Sequence, residues 1–477
     1  MSSPPSPSSG ALRSAPLAAR IALAVVLVAE MMNALDHTIV LNAIPTLRDS
    51  LGAGPAAVQW LTVGYSLALA VGLVTGGRLG DAYGRRRVFL IGTAVFTVAS
   101  LSCGIAPTPE TLVASRILQG AGAAIMLPQA LATIHVTFSG DARSRAFGLY
   151  GAILAVGDLL GPVLSGVLLQ LDLFGWGWRS IFLVNLPICI AVLVFGRRFI
   201  TESTSDKPAR LDVLGMLLSA VAVTLIVFPL TQGAEHGWPL WAVLLPVAGL
   251  LTVGVFIAQQ RTRQGSAPTI VLSMFSDRGF SAGLSAQLVF GLSSGLFFVT
   301  MTIFLQTGLG MSALQASMAF VLVTAGSFIG VAVAVRSAGR FGRRLPQAAA
   351  LFALAGVVAF LLVITQWQAE LTMVVMAVPL MILGCFIGAI GGPLADLSLR
   401  NVEHAHAGSA SGLFNTAIHL GMALGTALTG AVFFSVTGGS ADGALNREAF
   451  TGVLWTVGAA FVVIWALMFL IPRRAEE

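Results

Sequence analysis

The sequence predicts an all-α polytopic membrane protein. Two observations carry that prediction: 56% of the 477 residues are hydrophobic and only 10% are charged. A third, the alternation of basic residues along the chain, orients the helices. A soluble chain carries about 25% charge, so this one lacks the polar surface needed to cover a water-soluble particle. Mean hydropathy is +0.90. The 53 glycines fit the same picture, since small residues let membrane helices approach closely.

The elements follow in order. Residues 1–19, rich in Ser and Pro, read as a disordered cytoplasmic tail. The apolar run that follows is too long for a signal-peptide core and leads into further spans, so it reads as a retained helix. A crossing helix needs about 20 mostly apolar residues. Stretches of that kind lie near 20–44, 56–76, 87–106, 110–135, 144–170, 179–199 and 211–231. A second set lies near 240–258, 280–305, 313–336, 346–366, 370–396, 408–435 and 449–471, giving fourteen spans.

The basic residues test this count. With both termini cytoplasmic, 22 Arg and Lys side chains fall inside, among them Arg78, Arg85, Arg86, Arg87, Arg143, Arg145, Arg197, Arg198 and Arg344. Only Arg48, Arg179 and Arg447 fall outside, and Arg116 lies within a span, which accounts for all 26. Cytoplasmic loops of membrane proteins carry this excess of Lys and Arg. The +6 net charge is therefore a matter of topology, and no nucleic-acid partner is expected.

A weak internal echo suggests two halves. Gly77 to Arg87 reads GRLGDAYGRRR after span two, and Gly339 to Arg344 reads GRFGRR after span ten. These match if spans seven and eight are an insertion, as in transporters built from parallel repeats. The predicted organisation is a six-helix bundle over 20–199, two inserted helices with flanking linkers over 200–279, and a second six-helix bundle with a short tail over 280–477.

Cys103, Cys189 and Cys385 lie far apart in apolar stretches and suggest neither disulfides nor a metal site. No HExxH, P-loop or nucleophile elbow occurs. Without a clustered catalytic set, no enzyme activity, cofactor or metal is expected.

Four segments stand out. Leu35 to Pro45 in span one reads LDHTIVLNAIP; Gly77 to Arg87 follows span two; Arg116 to Gly122 in span four reads RILQGAG; Gly157 to Gly166 in span five reads GDLLGPVLSG. Together, in this order and on these spans, they resemble the major facilitator superfamily, specifically its fourteen-helix drug:proton antiporter branch. The resemblance covers nearly the whole chain after residue 19. It implies a secondary transporter that exports amphipathic drugs or antibiotics in exchange for protons across a bacterial cytoplasmic membrane, acting as a monomer. Three positions depart from the branch. Asp158 stands where an uncharged residue is usual, Ser165 where glycine is common, and His419 in span thirteen where Gln is more usual.

Individual residues then acquire candidate roles. In the loop between spans two and three, Gly77, Gly80 and Gly84 permit a tight turn. Asp81 can accept from Arg85, Arg86 or a helix N-terminus. The segment reads as a cytoplasmic latch that breaks in one conformation, or else as a topogenic basic loop. Ionisable groups at membrane depth are costly and mark function by default. Asp36 and Arg116 fall at similar depth from the same membrane face and can pair. Glu30 and Asp36 are six residues apart, about 600° around a helix, so they point to different faces. A carboxylate that alternates between an apolar setting and an Arg-paired one can load and release a proton. Glu30, Asp36 and Asp158 are candidates, against the alternative of static polar pairs.

Gly157, Gly161 and Ser165 share one face of span five, beside Pro162 and Gly166. They read as a seam between the two bundles, or as ordinary packing. His419 sits near mid-depth and is a candidate for substrate or proton binding, or a packing histidine. The expected partners are a small amphipathic substrate, protons and membrane lipids, with Asp158 the acid that would select a cation. Competing readings are an exporter dedicated to one self-made metabolite and a proton-coupled uptake symporter. A membrane enzyme or sensor is disfavoured, because neither a catalytic cluster nor a soluble domain is present.

Overall fold

The computed structural model describes residues 16–138, 140–204, 212–233, 236–263, 270, 272–341, 343–366, 372–399 and 407–471. Among them there is no strand. The helices of the first part are α1 (Leu17–Leu51), α2 (Pro55–Tyr83), α3 (Arg85–Gly104), α4 (Pro109–Thr137), α5 (Gly140–Leu171), α6 (Ser180–Leu183) and α7 (Asn185–Phe199). Then come α8 (Val213–Gln232) and α9 (Leu240–Arg263). The last part holds α10 (Arg278–Ile303), α11 (Ala313–Phe341), α12 (Arg344–Gln366), α13 (Met373–Leu399), α14 (Ala407–Thr429), α15 (Ser435–Thr437) and α16 (Gly443–Leu467).

Helix is the form this sequence must take in lipid, because only a helix or a closed barrel satisfies every backbone N–H and C=O without water. Polar caps mark several starts. Thr108 forms a capping box at α4, and Asp212, Asp277 and Asp442 accept backbone N–H groups at the starts of α8, α10 and α16. Among the described residues, thirteen helical stretches are long and apolar enough to cross a membrane. Span five of the sequence reading corresponds to α5, which is 32 residues long. Its described apolar stretch, Leu160–Leu171, is shorter than a full crossing.

The end of the second span differs from the sequence reading. The second span was expected to end near residue 76, with a glycine turn after it, but α2 continues to Tyr83. Gly77 and Gly80 are therefore helical and lie against Pro128 and Gln129 of α4. The Gln129 Nε2 donates to the Gly76 carbonyl at 2.6 Å, which ties the last turns of α2 to α4. The chain reverses at Gly84 alone, whose φ of +100° lies in the left-handed region that favours glycine. The sixth span, expected over 179–199, is one 23-residue stretch, Gly177–Phe199, in which Val184 between α6 and α7 keeps a helical φ of −59° and ψ of −25°.

The apolar interior has separate centres. One gathers Val26, Tyr65, Phe89, Phe96, Met126 and Val192 from the first seven helices. Another collects Ile39, Leu61, Leu112, Trp178 and Phe182. The largest belongs mainly to α10–α16, where Phe304 stacks on Phe450 with centroids 4.5 Å apart. The α8 helix sits beside α2 and α14, with Val227 packed among Val63, Ala423 and Ala427. It therefore touches helices from both ends of the chain.

Candidate functional site

The charges that the sequence placed at equal depth meet. Arg116 Nη1 donates to Asp36 Oδ2 at 2.6 Å, and neither side chain is more than 1% exposed. Burying both charges is costly unless their remaining hydrogen-bonding capacity is met, and the surroundings meet most of it. Asp36 Oδ1 accepts from Gln119 Nε2 at 2.8 Å and from Asn185 Nδ2 at 2.6 Å. Arg116 also donates to Gln119 Oε1 at 2.7 Å and, through Nε, to the Leu61 carbonyl at 3.2 Å. Its guanidinium lies 4.3 Å from the centroid of the Tyr65 ring, close enough for a cation–π contact. Ser100 Oγ accepts from Gln119 and Asn185 and donates to the Phe182 carbonyl at 2.9 Å. The cage thus draws on α1, α2, α3, α4, α6 and α7.

Sequence reasoning found Asp36 and Arg116 but assigned no role to Gln119, Asn185, Ser100 or Tyr65. Two of these carried a readable signal. Gln119 lies three residues after Arg116, on the same helix face. Asn185 is a lone amide in an apolar stretch, where polar side chains need partners.

Glu30 occupies a separate place, as its angular offset from Asp36 predicts. It is fully buried, and its Oε2 accepts from the Tyr150 hydroxyl at 3.2 Å. Its Oε1 has no partner. Between the two acids, Asn33 Oδ1 accepts a short hydrogen bond from the Tyr65 hydroxyl. Next to Asp36, the His37 ring lies 5.8 Å from Tyr65 and 6.3 Å from His419, centroid to centroid. His419 belongs to α14, so this contact joins opposite ends of the chain.

A second set of contacts links early and late helices near the C-terminal end of α1. Asn42 Nδ2 donates to the Ala313 carbonyl at 2.9 Å and to Ser317 Oγ at 2.8 Å. Gln306 Nε2 donates to Asn42 Oδ1 at 2.9 Å, and Arg48 Nη2 to the Gly439 carbonyl at 2.6 Å. Ser317 Oγ also donates to the Pro162 carbonyl at 2.7 Å. The span-five motif is divided accordingly. Gly157 and Gly161 face α1: a methyl on Gly157 would meet Ala34 Cβ at 2.7 Å, and one on Gly161 the Leu35 carbonyl at 3.0 Å. Gly166 faces α11, where a methyl would meet Leu314 Cα at 2.9 Å. Within this motif the contact with the late helices is carried by Pro162 and Gly166, while Gly157 and Gly161 bring α1 and α5 together. Helix periodicity explains the split, since residues 157 and 161 share a face that 166 has left. The side chain of Asp158 lies outside the described residues.

At the turn after α2, Arg85 pairs with Asp81 at 2.9 Å, one helical turn away. Glu202, which sequence reasoning did not consider, accepts from the backbone N–H of Arg86 at 3.0 Å and of Arg87 at 3.2 Å. An acid at this position satisfies free donors at the start of α3 and complements its dipole. Arg86 Nε approaches the same carboxylate at 3.7 Å. The segment after α7 is thereby fastened to the α2–α3 turn. Among the described residues no cluster of metal-ligating side chains occurs.

Comparison with known proteins agrees with this architecture. A family model described as the Major Facilitator Superfamily matches residues 26–426. The chain is 38% identical over 452 residues to a probable actinorhodin transporter of Streptomyces coelicolor, covering 93% of this chain and 78% of that one. It is 35% identical over 447 residues to a cephamycin export protein of Amycolatopsis lactamdurans, covering 91% and 90%. Among solved structures, a bacterial homologue of the human lysosomal transporter Spinster, inward-facing and unoccupied, aligns over 97% of this chain and 100% of its own with a TM-score of 0.69. At 14% identity that likeness concerns the fold alone. Matched by the family model over most of its length, this multi-pass membrane protein belongs to the Major Facilitator Superfamily.

Proposed function

We propose that the chain exports small amphipathic molecules from a bacterial cell in exchange for protons, by alternating access. In this reading α5 also crosses the membrane as span five, which brings the count to fourteen, and both termini are cytoplasmic. Residues 20–199 and 280–477 form the two rocking halves, and α8 and α9 are an inserted pair that packs at their seam.

The observation that carries the proposal is the Asp36–Arg116 pair, buried at 2.6 Å among hydrogen bonds with Gln119, Asn185 and the Leu61 carbonyl. Charges at membrane depth are expensive and concentrate on ion and proton pathways. Asp36 releases its proton when paired with Arg116 and takes one up when a conformational change turns the guanidinium to another acceptor. Gln119 is built for that exchange, because it already bonds to both partners. Glu30, with one oxygen unpartnered, is a second carboxylate in the same half. In the proposed orientation the Asn42, Gln306 and Arg48 contacts close the outer side. The Asp81–Arg85 pair and the Glu202 contacts then stiffen the cytoplasmic end of the first half.

The relatives' names support export of antibiotic-like molecules. Because each names a single antibiotic, they also favour the narrower reading, a dedicated exporter of one metabolite. A susceptibility panel of cells with and without the protein separates a broad substrate range from a single one.

Energy coupling is tested in everted membrane vesicles. Adding a transported compound should release protons from an established gradient, and a protonophore should stop uptake. Transport that survives collapse of both the proton and sodium gradients defeats the proposal.

A further inference from the structure

His37 and His419 take no part in the Asp36 cage, yet they lie where early and late helices face one another. Their rings meet edge to face with centroids 6.3 Å apart and an interplanar angle of 82°. His37 is 9% exposed, and its Nε2 is buried without a hydrogen-bond partner, as is His419 Nδ1. Among the described residues neither ring pairs with a carboxylate.

The nitrogens do not stand alone. On α2, Thr62 Oγ1 and Ser66 Oγ are buried and unpartnered, and on α14 so is Thr416 Oγ1. Thr62 and Ser66 are one turn apart, as are Thr416 and His419, so each pair shares a helix face. Packing sets α2 against α14: Val63 meets Ala423 and Ala427, and Gln59 lies beside Gly430. The two helices therefore approach along much of their length, with His37 of α1 closing the group beside Tyr65.

An unmet buried hydrogen-bonding group costs about 1–3 kcal/mol, and native structures leave few of them. Here two of them, His37 Nε2 and His419 Nδ1, belong to rings that meet across the seam. Ligand sites in this kind of fold lie near mid-depth between the repeats.

We propose that His37 and His419 form a subsite spanning the seam that binds a protic oxygen of the substrate, a phenol, enol or carboxylic acid. This rests on the export reading above and specifies its substrate class. The chemistry follows from the donor set. A neutral imidazole nitrogen either donates or accepts, according to tautomer. An O–H group does both, so it can donate to one ring while accepting from the other. An alkyl ether accepts only, and a quaternary ammonium does neither. Because the two rings sit on opposite sides of the seam, such a group binds well only while α1 and α14 are together.

The test is equilibrium binding to purified full-length protein in lipid nanodiscs, read by quenching of tryptophan fluorescence. The probes are 2,6-dihydroxyanthraquinone and 2,6-dimethoxyanthraquinone, which share a ring system and differ in the protic oxygens. Binding needs no gradient, so failure of the subsite is read apart from failure of proton-coupled export. Wild type should bind the dihydroxy compound about tenfold more tightly, in keeping with one to two net hydrogen bonds. His37→Leu and His419→Leu should each reduce that preference to within about twofold while leaving the dimethoxy affinity unchanged. His419→Gln, which keeps a donor and an acceptor, should restore part of it and serves as the variant that folds if a leucine does not. Failure of wild type to prefer the hydroxylated probe, or to bind either probe, overturns the proposal. So does a preference that persists in both leucine variants, or an equal loss of both probes, which would mark the histidines as packing residues.

Discussion

Asp36→Asn isolates the energetics of the buried pair. The change keeps the side chain's size but leaves the Arg116 guanidinium fully buried without its counter-charge. Two of its acceptors survive, Gln119 Oε1 at 2.7 Å and the Leu61 carbonyl at 3.2 Å. The new amide N–H₂ also meets donors, because Asp36 accepts from Arg116, Gln119 and Asn185. Removing one member of a buried ion pair costs about 3–5 kcal/mol, against a total stability of about 5–15 kcal/mol. Replacing both members is far milder, since neutral substitutes for a buried pair are often tolerated. The double variant Asp36→Asn/Arg116→Gln should therefore recover about 2 kcal/mol or more, a coupling energy typical of residues in direct contact. The assay is denaturant titration in mixed micelles, followed by tryptophan fluorescence, on the wild type, both single variants and the double. A single variant within about 0.5 kcal/mol of wild type, or a double variant no more stable than the singles, refutes the reasoning that the cage is held by charge. In vesicles both Asp36 variants should lose uphill transport while any downhill exchange persists.

Further outcomes follow from other parts of the chain. Asp81→Asn removes the partner of Arg85, and the protein should insert normally yet transport poorly, with accessibility labelling shifted between the two conformations; wild-type transport and labelling would leave Asp81 as part of a topogenic segment. Gly84→Ala forces a side chain to φ +100° and onto the Glu202 carboxylate at 2.7 Å, so the same titration should show a loss of about 1–3 kcal/mol; unchanged stability would mean that the turn relaxes freely. For Asp158→Asn, loss of cationic but not neutral substrates is expected, since a carboxylate in low dielectric attracts a cation strongly; full activity towards both classes would leave the acid a packing role.

The all-helical membrane architecture was legible because it follows from composition, from runs of about 20 apolar residues and from the sidedness of arginine. The pairing of Asp36 with Arg116 was also legible. Depth in a membrane is nearly a one-dimensional coordinate, and counting residues along two spans locates it. Which face a helix turns to its neighbour, and which neighbour that is, cannot be counted in the same way. Asn185 reaches Asp36, and Ser100 reaches Gln119 and Asn185, only because α7 and α3 pack where they do. Glu202 reaches the start of α3 from more than a hundred residues away. The extension of α2 to Tyr83 was decided by the contact of its last turns with Gln129 of α4, which made helix more favourable than the turn its glycines suggested. The meeting of His37 with His419 belongs wholly to the tertiary structure. Their depths could be counted, but the two rings come together through the close approach of α2 and α14, and that approach depends on side-chain packing between segments more than three hundred residues apart.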